Sequence, residues 1–218
     1  PETAVHKEFY MFESNRFEWE KKYFDERFRN AINDWKKLPF EEPCKWCFQF
    51  PFVNDLFCEH LIDEVNALNA WSTGGDKELR DDRISNVEAI PTVDIHMKQI
   101  GFRKQWEKII HQYIAKVVSH LFSPFQTKDL NIAFVVKYDM KGQKKLQPHH
   151  DSSAYSINIA LNTPGVDFQG GGTKFIKQGV HVQNKKGYAI IHPGRLTHYH
   201  EGVPITSGVR YIMVSFVH

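Results

Sequence analysis

Apolar residues follow two different rhythms along this chain, and the change between them falls near Leu130. From Ser14 to Lys37, Phe17, Phe24, Phe28, Ala31, Ile32 and Trp35 recur at helical spacing among charged residues, which predicts one amphipathic helix lying on a core. Leu38 Pro39 and Glu42 Pro43 end it, and the aromatic and β-branched run Cys47 to Val53 reads as a first strand. Asn54 is placed to cap a helix carrying Leu56, Phe57, Leu61, Ile62, Val65 and Leu68, with Gly74 Gly75 as its stop. Asp76 to Arg83 is nearly all charged and reads as an exposed loop; Val87 to Met97 reads as a strand interrupted at Pro91. The clearest helix follows, with Trp106, Ile109, Ile110, Tyr113, Ile114, Val117, Val118 and Leu121 keeping an i, i+3, i+4 rhythm until Ser123 Pro124.

Beyond Leu130 the helical period disappears. Short strand candidates take its place at Asn131 to Asp139, Leu146 to Asp151, Tyr155 to Asn162, Thr173 to Lys177, Val180 to Gln183, Tyr188 to His192 and Arg210 to Val217. Turns such as Lys141 Gly142, Thr163 Pro164 Gly165, Gly170 Gly171 Gly172 and Asn184 Lys185 Lys186 Gly187 separate them. Even spacing of short strands predicts a sandwich or jelly roll rather than βαβ units. The expected fold is therefore mainly β, a jelly roll buttressed by helices (α+β), with residues 1–42 as a helical extension and 43–218 as the main domain.

Composition narrows the function classes. With 41% hydrophobic and 14% aromatic residues in 218, the chain can bury a sizeable core and is not a disordered type. No apolar run reaches membrane-span length. The start, Pro1 Glu2 Thr3 Ala4, has neither an initiator Met nor a signal peptide's apolar region, so the chain reads as an excised domain whose targeting signals would lie upstream. A net charge of +2 without a basic stripe argues against nucleic acid. Cys44 and Cys47 are spaced like a zinc or redox pair, but only Cys58 remains to complete a metal set, which favours a local disulfide or free thiols. No Asn-X-Ser/Thr sequon is present.

The chemistry concentrates in two segments. In Leu146 Gln147 Pro148 His149 His150 Asp151, strand alternation would turn His149 and Asp151 to one face and His150 to the other. In Gly194 Arg195 Leu196 Thr197 His198 Tyr199 His200 Glu201 Gly202, His198 and His200 also share a face, and parity alone does not choose between them. Two imidazoles and one carboxylate on one side of a metal are the ligand set of non-heme Fe(II) oxygenases. Arg210 opens an apolar strand, where a buried guanidinium needs a carboxylate: an internal Asp or Glu, or a keto-acid co-substrate gripped by its planar fork. His181, His192 and His218 read as hydrogen-bonded structural histidines.

Pro148 to Asp151, Ile157 to Asn162, Gly165 to Gly172 and His192 to Gly202 together resemble the C-terminal catalytic domain of procollagen lysyl hydroxylases. Trp71 Ser72, Pro91 to Met97 and Ala133 to Val136 extend the likeness over roughly Pro43 to Val217. Thr173 and Val180 depart from it, standing where the family often has Cys.

That resemblance implies Fe(II)- and 2-oxoglutarate-dependent dioxygenase chemistry on a double-stranded β-helix, hydroxylating lysine in collagen-like X-Lys-Gly sequences. It implies His149, Asp151 and His200 as iron ligands, Arg210 on the distal carboxylate of 2-oxoglutarate, and Tyr138 and Asn158 as lesser co-substrate contacts. O2 as the oxidant, ascorbate as reductant, a homodimer involving Leu196, and the endoplasmic reticulum lumen follow as further expectations. Glu78, Asp81 and Asp82 are candidate acceptors for the substrate ammonium, with Trp71 as a groove wall. Related readings are a dioxygenase acting on prolyl residues or a free amino acid, and a metal-holding jelly roll that binds a partner without turnover.

Overall fold

A computed structural model describes residues 2–73, 91–123 and 129–218. Two antiparallel sheets carry the fold. The large one runs β1 (Glu41–Cys44), β2 (Cys47–Pro51), β10 (Tyr188–Pro193), β6 (Tyr155–Ala160), β12 (Ile205–Val217), β4 (Leu130–Asp139), β3 (Asp94–His96), and β7 (Phe168–Gly170) joins it on β12. The small one runs β5 (Leu146–His149), β11 (His200–Gly202), β8 (Thr173–Phe175), β9 (Val180–Val182). They stack without closing into a barrel: Phe175 and Val182 of the small sheet meet Cys47 and Ile190 of the large one in a single apolar cluster.

Strand parity sorts the large sheet's side chains. Ala133, Val135, Ile157, Ile159, Ala189, Ile191 and Met213 point to the helices, whereas Val136, Tyr138, Ile212 and Val214 point the other way. One face thus meets the helical layer and the other faces the second sheet. Each aromatic fully buried in the helical core is worth about 1.5–3 kcal/mol relative to exposure.

The helical layer holds most of the aromatics. The predicted single helix over Ser14 to Lys37 is instead two short ones, α1 (Arg16–Tyr23) and α2 (Glu26–Ala31), followed by one 3₁₀ turn at Trp35–Lys37. Phe24 breaks the helix by taking an extended conformation and bridging to Val53, and Asp25 restarts it by accepting from the Arg27 N–H. The buried stripe of α1 is Trp19 and Tyr23, while Phe17 is exposed. Phe9, Phe12, Trp19, Tyr23 and Phe28 of the expected extension enter the same core as Phe57, Phe102 and Trp106.

The next two helices follow the sequence closely. In α3 (Asp55–Leu68), Asn54 Oδ1 accepts from Phe57 N–H at 3.0 Å, and Phe57, Leu61 and Val65 are buried. It ends at Asn69, whose φ of +49° is left-handed, five residues before the expected Gly74 stop. The long helix consists of α4 (Arg103–Ile109), a π turn at Ile110–Ile114 and α5 (Ala115–Phe122). Trp106 Nε1–H donates to Ser215 Oγ at 2.9 Å and ties that helix to β12. Among the described residues, no helix is long and apolar enough to cross a membrane.

Candidate metal centre

The centre is built where β5 and β11 pair. His149 and His200 are direct register partners, with ring centroids 4.4 Å apart. β5 stops at His149, so Asp151 lies in the following loop and strand alternation does not place it; the chain's turn brings its Oδ1 to 3.2 Å from His149 Nε2 and 3.8 Å from His200 Nε2. His149, Asp151 and His200 each offer a donor atom within 4.8 Å of the others. His150 turns away onto Tyr199. His198 also leaves the centre, with its Nε2 3.1 Å from the Lys45 carbonyl.

Hydrogen bonds orient each of the three. His149 Nδ1–H donates to Gln147 O at 2.7 Å and His200 Nδ1–H donates to His198 O at 2.8 Å, which leaves both Nε2 atoms toward the carboxylate. Ser156 donates its hydroxyl to Asp151 Oδ2 and is itself 2.8 Å from Ser153 Oγ. Burial acts to raise the Asp151 pKa, but His200 and His149 outweigh it and hold the carboxyl below the usual range. For His149 burial is opposed by the contact with Asp151, which wins and raises it; His200, more deeply buried, is lowered. The set is therefore an anion with two adjacent imidazole donors, and a metal entering it would displace protons.

A second constellation lies on the inner face of the large sheet. Arg210 and Tyr138 are cross-strand partners, and the guanidinium carbon sits 5.2 Å from the Tyr138 ring centroid. Arg210 is 6% exposed, its Nη1–H donates to Gly172 O at 3.3 Å, and among the described residues it has no carboxylate partner. Burial lowers its pKa, with Tyr138 opposing. A Cβ at Gly171, where φ is +73°, would lie 3.2 Å from Arg210 Cδ, so this glycine leaves the arginine its room. Asn158, beside Val214 and Ile190 in the sheet, has a buried Oδ1 without a hydrogen-bond partner.

Two residues escaped the sequence reading. His192 is completely buried, its ring 5.0 Å from that of His200, and burial chiefly lowers its pKa to about 3. Ser156, its register partner, holds Asp151. Parity carried the signal: Ser156 lies two residues before Asn158, on the same face. Trp71 rests on Tyr211 and Lys137, which leave the opposite face of the sheet from Arg210 and Tyr138, and so these contacts do not make it a wall beside the centre. Glu78, Asp81 and Asp82 lie outside the described residues.

Comparison with known proteins adds the family. A model of the OGFOD2-like domain matches residues 3–126, and one of the 2OG-Fe(II) oxygenase superfamily matches residues 129–218. The chain belongs to the OGFOD2-like family, and its β half matches the 2OG-Fe(II) oxygenase superfamily. The chain is 44% identical over 209 residues to a procollagen lysyl hydroxylase and glycosyltransferase of Acanthamoeba polyphaga mimivirus, covering 95% of this chain and 23% of that protein. It is 42% identical over 218 residues to procollagen-lysine,2-oxoglutarate 5-dioxygenase 1 of Gallus gallus, covering 99% of this chain and 29% of that protein. The chain thus spans about a quarter of the length of these curated relatives. Among solved structures, a Pseudomonas putida prolyl-4-hydroxylase superposes with a TM-score of 0.55 at 16% identity, covering 87% of this chain and 97% of that chain, a likeness of fold.

The superfamily that this half matches implies Fe(II) and 2-oxoglutarate. The residues present fit both groups. His149, Asp151 and His200 form a two-histidine, one-carboxylate set that could hold the metal, and the buried Arg210 guanidinium, without a carboxylate partner among the described residues, suits a carboxylate of the co-substrate.

Proposed function

We propose that this oxygenase hydroxylates lysine side chains in collagen-like X-Lys-Gly peptides, converting 2-oxoglutarate and O2 to succinate and CO2. The observation that carries the reading is the arrangement of the His149, Asp151 and His200 donors with a buried Arg210 that has no carboxylate partner among the described residues. The lysine specificity is supported by the relatives at 42–44% identity, whose names are lysyl hydroxylases.

When bound, iron and 2-oxoglutarate supply the O2 chemistry that transfers an oxygen atom to a C–H bond. The chain's own residues do the rest. His149 and His200, fixed through their Nδ1–H bonds, and Asp151, fixed by Ser156, would hold the metal; Arg210 would grip the far carboxylate of the co-substrate. Tyr138, beneath the guanidinium, keeps water from it by its ring, and Asn158 offers a polar contact to the co-substrate. Ascorbate as reductant and a homodimer through Leu196 belong to the same reading; Leu196 is 81% exposed with φ of +69°, an apolar side chain held out from its loop.

The test is incubation with Fe(II), 2-oxoglutarate and a Gly-X-Y peptide containing Lys-Gly. The expected result is one added oxygen on lysine by mass spectrometry with matching succinate, and loss of product when Lys is replaced by Arg. Oxygen on proline, or on free lysine as readily as on the peptide, would overturn the reading.

A further inference from the structure

The sequence Cys44 Lys45 Trp46 Cys47 takes no part in the oxygenase centre, and the fold turns it into a hairpin. β1 and β2 are joined by Lys45 and Trp46 alone, and Cys44 and Cys47 are direct cross-strand partners. Trp46 adopts φ of +67° to make so tight a turn, and its N–H donates to Glu42 Oε1 at 2.8 Å. Residues paired across antiparallel strands have Cα atoms roughly 4.5–5.5 Å apart, inside the roughly 4.4–6.8 Å range that a disulfide spans.

The two thiols are not equivalent. Cys44 is half-buried, whereas Cys47 is fully buried among Phe175, Val182 and Ile190. Contact with Cys47 lowers the Cys44 pKa, against burial, and the same contact with burial raises that of Cys47. An outside reagent therefore meets Cys44 first. The third cysteine is no competitor: Cys58 lies fully buried in α3, its thiol pushed by burial up to about 12.

We infer that Cys44 and Cys47 form a thiol–disulfide exchange site, in which Cys44 attacks a low-molecular-weight disulfide and Cys47 resolves the adduct. In the first step Cys44, as thiolate, bonds to one sulfur of RSSR and releases RS⁻, which takes up the proton that Cys44 lost. In the second, Cys47 gives up its proton and attacks Cys44 Sγ, and a second RSH leaves. Two thiols are oxidised by two electrons to one disulfide, and RSSR is reduced to two RSH. The turn that the pair closes also carries the Lys45 carbonyl to which His198 is bonded, and the His198 carbonyl in turn accepts from His200. This hairpin adjoins the back of the oxygenase centre.

Glutathione disulfide is the probe, applied to the folded chain, with free thiols counted and peptides mapped by mass spectrometry. The fully reduced wild type should fall from three thiols to one, lose the mass of two hydrogens, and yield a Cys44–Cys47 linked peptide that a dithiol reductant reopens. Cys47→Ser should stop at one glutathionyl adduct on Cys44, and Cys44→Ser should acquire none. Retention of three thiols by the wild type, a lasting adduct on wild-type Cys44, or a disulfide that includes Cys58 would overturn the assignment. Because the wild type alone decides among these outcomes, the inference survives a variant that fails to fold.

Discussion

The hydroxyl of Ser156 donates to Oδ2 of Asp151, so this carboxylate turns its other oxygen to His149 and His200. A fixed second contact of this kind raises the expectation for its removal. Ser156→Ala should weaken Fe(II) binding roughly 10- to 100-fold, the range for groups that orient ligands, and Asp151→Ala should exceed it because the anionic donor itself is gone. Iron content after dialysis against a weak chelator measures both. Wild-type iron in Asp151→Ala would remove that residue from the ligand set.

Arg210→Lys should raise the KM for 2-oxoglutarate roughly 10- to 100-fold, from the loss of about 1.5–3 kcal/mol of charge-assisted hydrogen bonding, while the peptide KM changes little. A co-substrate KM equal to the wild type's would make Arg210 a packing residue. Gly171→Ala should act in the same direction, since its added methyl meets Arg210 Cδ.

On the proposed homodimer, the wild type should sediment as a dimer and Leu196→Asp as a monomer, without loss of helical circular dichroism. The side chain is solvent-facing in a loop whose Arg195 and Thr197 backbone bonds are made without it, so folding does not depend on it. Related by a two-fold axis, the same leucine would meet its own copy. A sedimentation mass unaffected by the substitution refutes the contact.

His60 gives an acid sensitivity remote from the oxygenase centre. Burial is the largest cause of its lowered pKa, followed by stacked His6; Lys22 also lowers it, Glu8 and Asp63 oppose, and the Tyr23 hydroxyl is 3.0 Å from Nδ1. A base whose folded pKa lies below its unfolded value, about 6.5, binds fewer protons folded than unfolded, so stability falls as pH drops through that window. The urea midpoint should decline between about pH 7.5 and about pH 5.5, and less steeply in His60→Gln. An equal decline in both proteins would assign the sensitivity elsewhere.

Much of this was legible in the residues. The long helix and α3 were found by rhythm and cap because their burial is one-sided and local. The stretch from Ser14 to Lys37 departs from its predicted single helix because Phe24 serves a bridge to Val53, a contact distant in sequence that local spacing does not contain. Asp151 does come to the side of His149, but by a loop and not by the strand alternation that predicts it. β7 was missed because Phe168–Gly170 runs into the triple glycine that reads as a turn, and so short a strand forms only where β12 receives it. His192 looked like an ordinary core histidine until the sheet put it against His200.

The pairing of His149 with His200 also sets an order of events during biogenesis. These two residues are neighbours in the finished ladder but lie at opposite ends of a long stretch that contributes strands to both sheets. A nascent chain therefore holds only separate pieces of the centre until β5 through β11 have assembled, and closing so long a loop is slow. A metal held by all three of His149, Asp151 and His200 would therefore meet the complete set only after that assembly.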